Sequence, residues 1–385
     1  MPAPRPTIRV ATIGGDGVGP EVVDASMLVL DAARITFDLP IEVERLPFGA
    51  DHYLATGITL PDGEAARLGA TTDAILVGAL GDARVPGHEH ARDILLGLRT
   101  SLDLYVNERP ARPLHPRLSP LARATTIDLV ILRENTEGLY IGRGRRTARG
   151  TPDEEAVAEE VHTRRGVERI VRHAFAVARA RGGRRLTLTD KANAVEAHRL
   201  WRDVFATVAT EFPDVHTETY YADALAMDLV RAPERFDVIV ANNLLGDVLS
   251  DLAAALIGGP GVAPSASYHP GRRAALFEPV HGSAPTLVGT GRANPLATVL
   301  SLGMLLRHVG EHTAAHAIDA ACAASVAAQV TTPDLGGWHS TLEVARWLAD
   351  HVAQTGLADD RRALEADAGA SDLSRSSHST PAPWP

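Results

Sequence analysis

The length, composition and charge of the chain exclude several classes of protein. A chain of 385 residues exceeds the usual domain size of about 100–200 residues, so we expect two domains. The net charge of −10 argues against nucleic acid as the main partner, because proteins that bind nucleic acid concentrate Lys and Arg. A single cysteine, Cys322, cannot form an internal disulfide and fits a reducing compartment.

The sequence predicts neither a secreted protein nor a membrane protein. Residues 1–10 contain three prolines and no apolar segment of the kind found in secretory signals. No apolar run reaches the roughly 20 residues that a membrane-spanning helix needs. We therefore expect a soluble, cytoplasmic protein that binds neither a membrane nor nucleic acid.

Short apolar runs alternate with longer helical patterns along the chain, which predicts an α/β fold. Strands are predicted at Ile8–Ile13, Ala74–Ala79, Ile127–Leu132, Leu186–Thr189 and Asp237–Ala241. Helices are predicted after Pro20 and over Glu154–Arg179, Val195–Phe212 and Pro295–Val309. The apolar periodicity fades from about Gly356, so residues 356–385 are predicted to be a disordered tail.

A glycine-rich turn, Gly14–Gly19, lies where the first predicted strand enters a helix. Such a turn could bind a phosphate, but Pro20 stands where G-x-G-x-x-G requires glycine, and no Gly-Lys-Ser/Thr follows as in a P-loop. The motif alone leaves both interpretations open and favours a purely structural turn.

Farther along the chain lie three candidate substrate-binding arginines and two candidates for proton transfer. Arg99, Arg109 and Arg133 together suit a substrate with more than one carboxylate, although each alone could be a surface arginine. Lys191 follows a predicted strand, where active-site groups of α/β folds collect, and beside a bound cation it could accept a proton from a hydroxyl. Tyr140 is a candidate acid, and a packed tyrosine is the alternative.

Two aspartates that lie four residues apart are candidate metal ligands. On a helix, Asp247 and Asp251 project from one face, where their mutual repulsion would be relieved by a divalent cation. Oxygen ligands favour Mg²⁺ or Mn²⁺, and Asp223 could add a third carboxylate. An exposed, metal-free pair is the alternative. Farther on, Glu278–Pro285 is rich in small residues, which lets the backbone approach a ligand closely.

The order of these motifs resembles that of the β-decarboxylating dehydrogenases, the isocitrate/isopropylmalate dehydrogenase family, over about residues 8–350. The resemblance rests on Gly15–Glu21, Leu98–Arg99, Asn107–Pro110, Arg133–Gly138, Asp190–Asn193, Gly246–Asp251 and Glu278–Pro285. It implies the two-domain α/β fold of that family, which is not a Rossmann GxGxxG fold. The expected domains are a cofactor-binding domain of residues 1–104 with 258–355, and a central substrate and dimerisation domain of residues 105–257.

The resemblance also implies the role of each site residue. Arg99, Arg109 and Arg133 would bind malate carboxylates, and the cation would be held by Asp247 and Asp251 with Asp223 of the partner subunit. Protons would be handled by Tyr140 and by Lys191 of the partner subunit, so the enzyme would be a homodimer with shared active sites. The expected cofactor-binding residues are Asn193, Glu278, His281, Gly282, Ser283, Ala284, Pro285, Thr286 and Asn294.

The expected reaction is the metal-dependent oxidative decarboxylation of a 3-substituted malate. Leu95 and Leu96 fall where the isopropylmalate enzymes place leucines, which favours conversion of 3-isopropylmalate to 2-oxoisocaproate with reduction of NAD, a step of leucine biosynthesis. Asp93 and Ala194 depart from the family pattern and keep D-malate, tartrate or an unusual alkylmalate open. Isocitrate and homoisocitrate are further alternatives for the same chemistry. Thr286 replaces an aspartate typical of NAD-linked members, so NADP is not excluded. A non-catalytic regulatory subunit is the remaining alternative.

Overall fold

A computed structural model of the chain describes residues 5–123, 125–182 and 185–355. The predicted disordered tail, residues 356–385, lies outside the described residues. The strands are β1 (Ile8–Gly15), β2 (Ile41–Leu46), β3 (Ala74–Ala79), β4 (Val106–Ala111), β5 (Leu129–Glu134), β6 (Gly144–Thr147), β7 (Glu155–Ala158), β8 (Arg185–Asp190), β9 (His216–Tyr221), β10 (Val238–Ala241), β11 (Pro264–Tyr268) and β12 (Ala275–Pro279).

The helices alternate with the strands, as the sequence pattern predicts. They are α1 (Gly19–Thr36), α2 (Ala50–Thr56), α3 (Glu64–Thr71), α4 (Glu89–Ser101), α5 (Arg164–Ala180), α6 (Arg199–Ala209), α7 (Ala222–Arg231), α8 (Asn243–Leu256), α9 (Leu296–His308) and α10 (His312–Ala327). Residues 341–355 are also helical. Among the residues that the structure describes, no helix combines the length and apolarity needed to cross a membrane.

Ten strands form one mixed sheet in the order β2-β1-β3-β12-β11-β4-β5-β10-β8-β9. The first four strands run parallel to one another, as do the last four. Antiparallel pairings through β11 and β4 join these two groups. The predicted α/β fold is confirmed, and the carboxyl ends of β5, β8 and β10 meet at one edge of the sheet, where ligands of such folds bind.

Helices cover both faces of the sheet, so its inner strands are fully buried. Every residue of β3, β5 and β10 is buried, which explains their uninterrupted apolar runs. The largest core cluster takes residues from both proposed domains, for example Val299 of α9 and Leu249 of α8. The division into two domains stays a prediction, and its boundary falls where β11 pairs with β4.

The five predicted strands are present, but the helix predicted over Glu154–Arg179 is wrong in its first third. Residues Glu155–Ala158 instead form β7, which pairs with β6 in an exposed two-stranded ribbon. Helix α5 begins only after Thr163, whose hydroxyl accepts a hydrogen bond from the N–H of Gly166 at 3.0 Å. Because the ribbon buries almost nothing within the chain, its sequence has no apolar alternation that would have marked a strand.

The glycine-rich turn between β1 and α1 packs against other backbone segments. A Cβ atom on Gly17 would lie 2.0 Å from the carbonyl oxygen of Ser283, and one on Gly19 would lie 2.6 Å from the amide nitrogen of Ala79. The N–H of Val18 donates to that same Ser283 carbonyl at 2.9 Å. Protein backbone therefore fills the space beside these glycines, which supports the structural interpretation of the turn.

We expect Gly17→Ala to destabilise the protein more than Gly57→Ala. Both glycines have left-handed φ, +59° and +72°, but the Cβ of residue 57 would meet nothing within 4 Å. The left-handed conformation should cost about 1 kcal/mol in each variant. The clash with Ser283 should add about 2–3 kcal/mol for Gly17→Ala alone, and urea unfolding would measure the difference. Equal losses of unfolding free energy would contradict the close packing.

Candidate active site

Helix α8 provides one wall of the candidate site, and its first turn is fixed by its N-cap. The side chain of Asn242 accepts a hydrogen bond from the N–H of Leu245 at 2.8 Å. Asp247 and Asp251 follow on one face of the helix, as their spacing predicts. Gly246 lets this helix approach β5, because a Cβ there would lie 2.7 Å from Cβ of Arg133.

Arg133, at the carboxyl end of β5, is buried and bound to α8 through its whole guanidinium. Its Nη1 donates to Asp247 at 2.5 Å, while Nε and Nη2 donate to the side-chain oxygen of Asn243 at 2.9 and 2.7 Å. Burial, together with the neighbouring Arg109 and Arg99, lowers the pKa of Arg133. The group nevertheless stays charged at neutral pH, as arginine does in proteins.

Arg109 and Arg99 lie beside Arg133 on neighbouring elements. Asn107 of β4 pairs across the sheet with Arg133 of β5, so Arg109, two residues farther along β4, projects from the same face. Arg109 donates to Asn107 at 2.9 Å and to Ser250 at 2.8 Å, and it lies 3.2 Å from Asp247. Burial lowers the pKa of Arg109, and Asp247 opposes that shift.

Arg99 of α4 joins the arginine cluster to the carboxyl end of β12. It is buried and donates to Glu278 at 2.6 Å. Its charge contributes to the lowered pKa of both Arg109 and Arg133, so the three guanidiniums repel one another. An anionic ligand with two carboxylates would relieve that repulsion.

Tyr140 is directed at the metal-binding candidate Asp247. Its hydroxyl donates to Asp247 at 3.0 Å, and the guanidinium of Arg133 lies 5.5 Å from its ring centroid. Burial and the Asp247 charge raise the pKa of Tyr140. The phenol therefore stays protonated at neutral pH and is able to donate a proton.

Lys191 and Asp223 form a separate pair in this chain. The ammonium of Lys191, just after β8, donates to Asp223 at the start of α7 at 2.6 Å, and this contact lowers the pKa of Asp223. Across the described residues, Asp223 does not come together with Asp247 and Asp251 in any group of three potential metal ligands. The predicted site residues therefore fall into two sets, the α8 set with the arginines and the Lys191–Asp223 pair.

Asp247 and Asp251 fit a hard divalent cation. Both offer only carboxylate oxygens, and Asp251 is largely exposed on the open side of the helix. Partial desolvation by the surrounding protein raises the pKa of Asp251, and the charge of Asp247 raises it further, although Arg109 opposes these effects. A cation would relieve the repulsion between these two carboxylates.

The loop after β12 has features that suit a nucleotide cofactor. A Cβ on Gly282 would meet no atom of the described chain within 4 Å, so the backbone there is open to a ligand. The Nε2 atom of His281 is buried and has no hydrogen-bond partner among the described residues, and burial lowers the pKa of this imidazole. Thr286 is exposed. In contrast, both ends of the Asn294 amide already form hydrogen bonds. Its nitrogen donates to Asp334 at 2.8 Å, and its oxygen accepts from the N–H of Leu296 at 3.0 Å.

Helix α4 places the residues that were predicted to meet the substrate's substituent. Leu95 packs partly on a core cluster, whereas Leu96 is half-buried outside the core clusters of the described chain. The side chain of Asp93 is 45% exposed and lies 3.4 Å from Arg92. Asp93 is thus partly neutralised at the surface.

Sequence reasoning missed two residues that hold the arginines in place. Asn243 binds Arg133, and Ser250 binds Arg109. A signal was available, because Asn243 precedes Asp247 by four residues and Ser250 follows it by three, so all three share one helix face.

Comparisons with known proteins identify the family of the chain. The family model described as isocitrate/isopropylmalate dehydrogenase matches residues 9–348. A 3-isopropylmalate dehydrogenase from Streptomyces avermitilis is 46% identical over 349 residues, which are 90% of this chain and 99% of that protein. One from Thermobifida fusca is 42% identical over 355 residues, 91% of this chain and 99% of the relative.

Solved structures give the same result. The isocitrate dehydrogenase from Methylococcus capsulatus superposes with a TM-score of 0.80 at 35% identity, covering 90% of this chain and 100% of that one. A beta-decarboxylating dehydrogenase from Thermococcus kodakarensis gives a TM-score of 0.74 at 36% identity, covering 90% and 97%. The predicted family and enzyme class are therefore confirmed, and the chain belongs to the isocitrate/isopropylmalate dehydrogenase family.

Proposed function

We propose that the protein oxidises and decarboxylates a 3-alkylmalate, with 3-isopropylmalate as the preferred substrate, NAD as the hydride acceptor and Mg²⁺ or Mn²⁺ as the cation. The observation that carries the proposal is the set of three mutually repelling, buried arginines beside two α8 carboxylates and a protonated tyrosine. This combination suits a dicarboxylate that also binds a divalent cation.

The arginines would bind the two carboxylates of the malate unit, and α4 would meet its substituent. Leu96 and Leu95 offer apolar surface to an isopropyl group. The related dehydrogenases named for 3-isopropylmalate support this choice of substrate. The alternatives are isocitrate, homoisocitrate, tartrate, D-malate and other alkylmalates, of which isocitrate has the support of a structural neighbour's name.

Asp247 and Asp251, with Asp223 of the partner subunit, would hold the cation, which when bound acidifies the substrate hydroxyl and stabilises developing negative charge. Lys191 of the partner subunit would accept the hydroxyl proton as hydride leaves for the nicotinamide. The arginines keep the carboxylates in position during loss of CO₂. Tyr140, held at Asp247 in its protonated form, would return a proton to the carbon that lost the carboxylate.

Three features of the chain support a homodimer with shared sites. Lys191 and Asp223 lie apart from the α8 carboxylates within one chain, so a complete site needs a second copy. Large apolar residues on the adjoining helices α7 and α8, Met227, Val230 and Val248, are exposed. The β6–β7 ribbon is exposed as well, and a lone two-stranded ribbon is marginally stable without a packing partner.

A substrate panel tests the proposed function. With NAD and Mg²⁺ or Mn²⁺, kcat/KM for 3-isopropylmalate should exceed that for isocitrate at least about a hundredfold, because a third carboxylate stranded beside Leu96 costs several kcal/mol. Homoisocitrate, tartrate and D-malate complete the panel, and NADP replaces NAD in a parallel series. Preference for isocitrate would overturn the substrate assignment, and no reduction of either nucleotide would overturn the enzymatic proposal itself.

Lys191→Met should lower kcat at least about a hundredfold while the protein stays folded and dimeric, because the proton acceptor is lost. Lys191→Arg is the matched control, since arginine keeps the positive charge beside Asp223 but does not accept a proton at neutral pH. Both variants should show this loss of at least about a hundredfold in kcat. Activity retained by Lys191→Arg would show that the lysine contributes charge and not proton transfer.

Thr286→Asp should tighten NAD binding about tenfold if residue 286 faces the adenosine ribose, because a carboxylate would add charge-assisted hydrogen bonds to the diol. Thr290→Asp, another exposed position on the same loop, controls for the added negative charge. Titration of NAD by fluorescence measures both affinities. Equal changes in the two variants would refute the ribose assignment.

A further inference from the structure

Glu160, His162 and His198 converge near Lys191 and form the group of potential metal ligands found among the described residues. A carboxylate oxygen of Glu160 lies 3.1 Å from Nε2 of His162 and 3.0 Å from Nε2 of His198. The composition resembles that of a transition-metal site. Whether the cluster can bind a metal ion depends on the hydrogen bonds around His198.

The backbone N–H of Lys191 donates to Nδ1 of His198 at 2.8 Å. Nδ1 therefore presents a lone pair, and the proton of the neutral imidazole resides on Nε2. The side-chain nitrogen of Asn242 also lies 2.8 Å from Nε2, but because Nδ1 is the acceptor, Nε2 keeps its proton, donates it to Glu160 and has no lone pair for a metal ion. The cluster is thus a hydrogen-bond network that ends on the backbone of the proposed proton acceptor, and not a metal site.

The same carboxylate oxygen joins this network to helix α8. The side-chain nitrogen of Asn242 donates to it at 3.0 Å, while the oxygen of that amide caps the helix at Leu245. Glu160 thereby places its negative charge near the N-terminus of α8, where the helix dipole favours it. The orientation of Asn242 is fixed at both ends of its amide.

Burial makes the network rigid. The side chains of His198 and His162 are 4% and 2% exposed, and that of Glu160 is 18% exposed. His162 packs edge-on against Trp201 at a centroid distance of 5.6 Å. The buried imidazole of His198 therefore has few alternative rotamers, and its Nδ1 atom stays in front of the Lys191 amide.

We propose that His198 is a positioning residue for Lys191: its Nδ1 fixes the peptide that carries this lysine, and Glu160 fixes its tautomer. The inference rests on the proposed function, in which Lys191 serves the active site of the partner subunit. A lysine whose backbone can rotate presents its amine to the substrate hydroxyl in the wrong geometry. His198 would therefore act on turnover and not on binding of the malate carboxylates, which the arginines perform.

Two isosteric substitutions separate this role from simple packing. The side-chain oxygen of asparagine can replace Nδ1, whereas the amide of glutamine reaches only the Nε2 position. His198→Gln should lower kcat about 10–100-fold with little change in KM for the hydroxy acid, whereas His198→Asn should retain most of the wild-type kcat. Equal losses in both variants, or losses that follow a drop in Tm, would overturn the assignment.

Mixed dimers show which active site His198 serves. A dimer of one His198→Gln chain and one Asp247→Asn chain contains one site with an unaltered α8 and an unaltered Lys191, so it should recover up to half of the wild-type activity. No recovery would mean that His198 acts on its own α8, which contradicts the proposal. The control pair, Lys191→Met with Asp247→Asn, tests shared sites alone, and its failure would instead overturn the proposed dimeric function.

Discussion

Burial of three guanidiniums beside one face of α8 is the constraint on which the site depends. A desolvated charge is tolerated only when it is paired, and Arg99, Arg109 and Arg133 are paired with three carboxylates, those of Glu278, Asp251 and Asp247. Three positive and three negative charges balance. A divalent cation and a dicarboxylate added together preserve that balance, whereas either one alone would disturb it.

The close approach of backbone segments creates this arrangement. Gly246 brings α8 against β5, so that Asn243 and Asp247 reach Arg133. Gly17 brings the β1–α1 turn against the loop at Ser283, which contains the proposed cofactor residues. The contribution of both glycines is to remove a Cβ where two elements must nearly touch.

The predictions from sequence were most accurate for buried strands and for spacings that helical geometry determines. The strand Ala74–Ala79 has its predicted bounds because both of its faces are covered, which leaves a continuous apolar run. Asp247 and Asp251 share a helix face because that follows from helical geometry alone. Strand β7 was wrongly predicted as helix, because the β6–β7 ribbon buries almost nothing within the chain. The contact of Glu160 with His198 joins segments remote in sequence and has no periodic signal.

The network around His198 connects the two sets of site residues, the Lys191–Asp223 pair and the α8 set. Within one chain, Glu160 accepts hydrogen bonds both from the residue that holds the Lys191 peptide and from the residue that caps α8. In a dimer with shared sites, Lys191 and α8 of one subunit serve different active sites. Two hydrogen bonds to a single carboxylate oxygen therefore connect the N-cap of α8 with the residue that holds the Lys191 peptide.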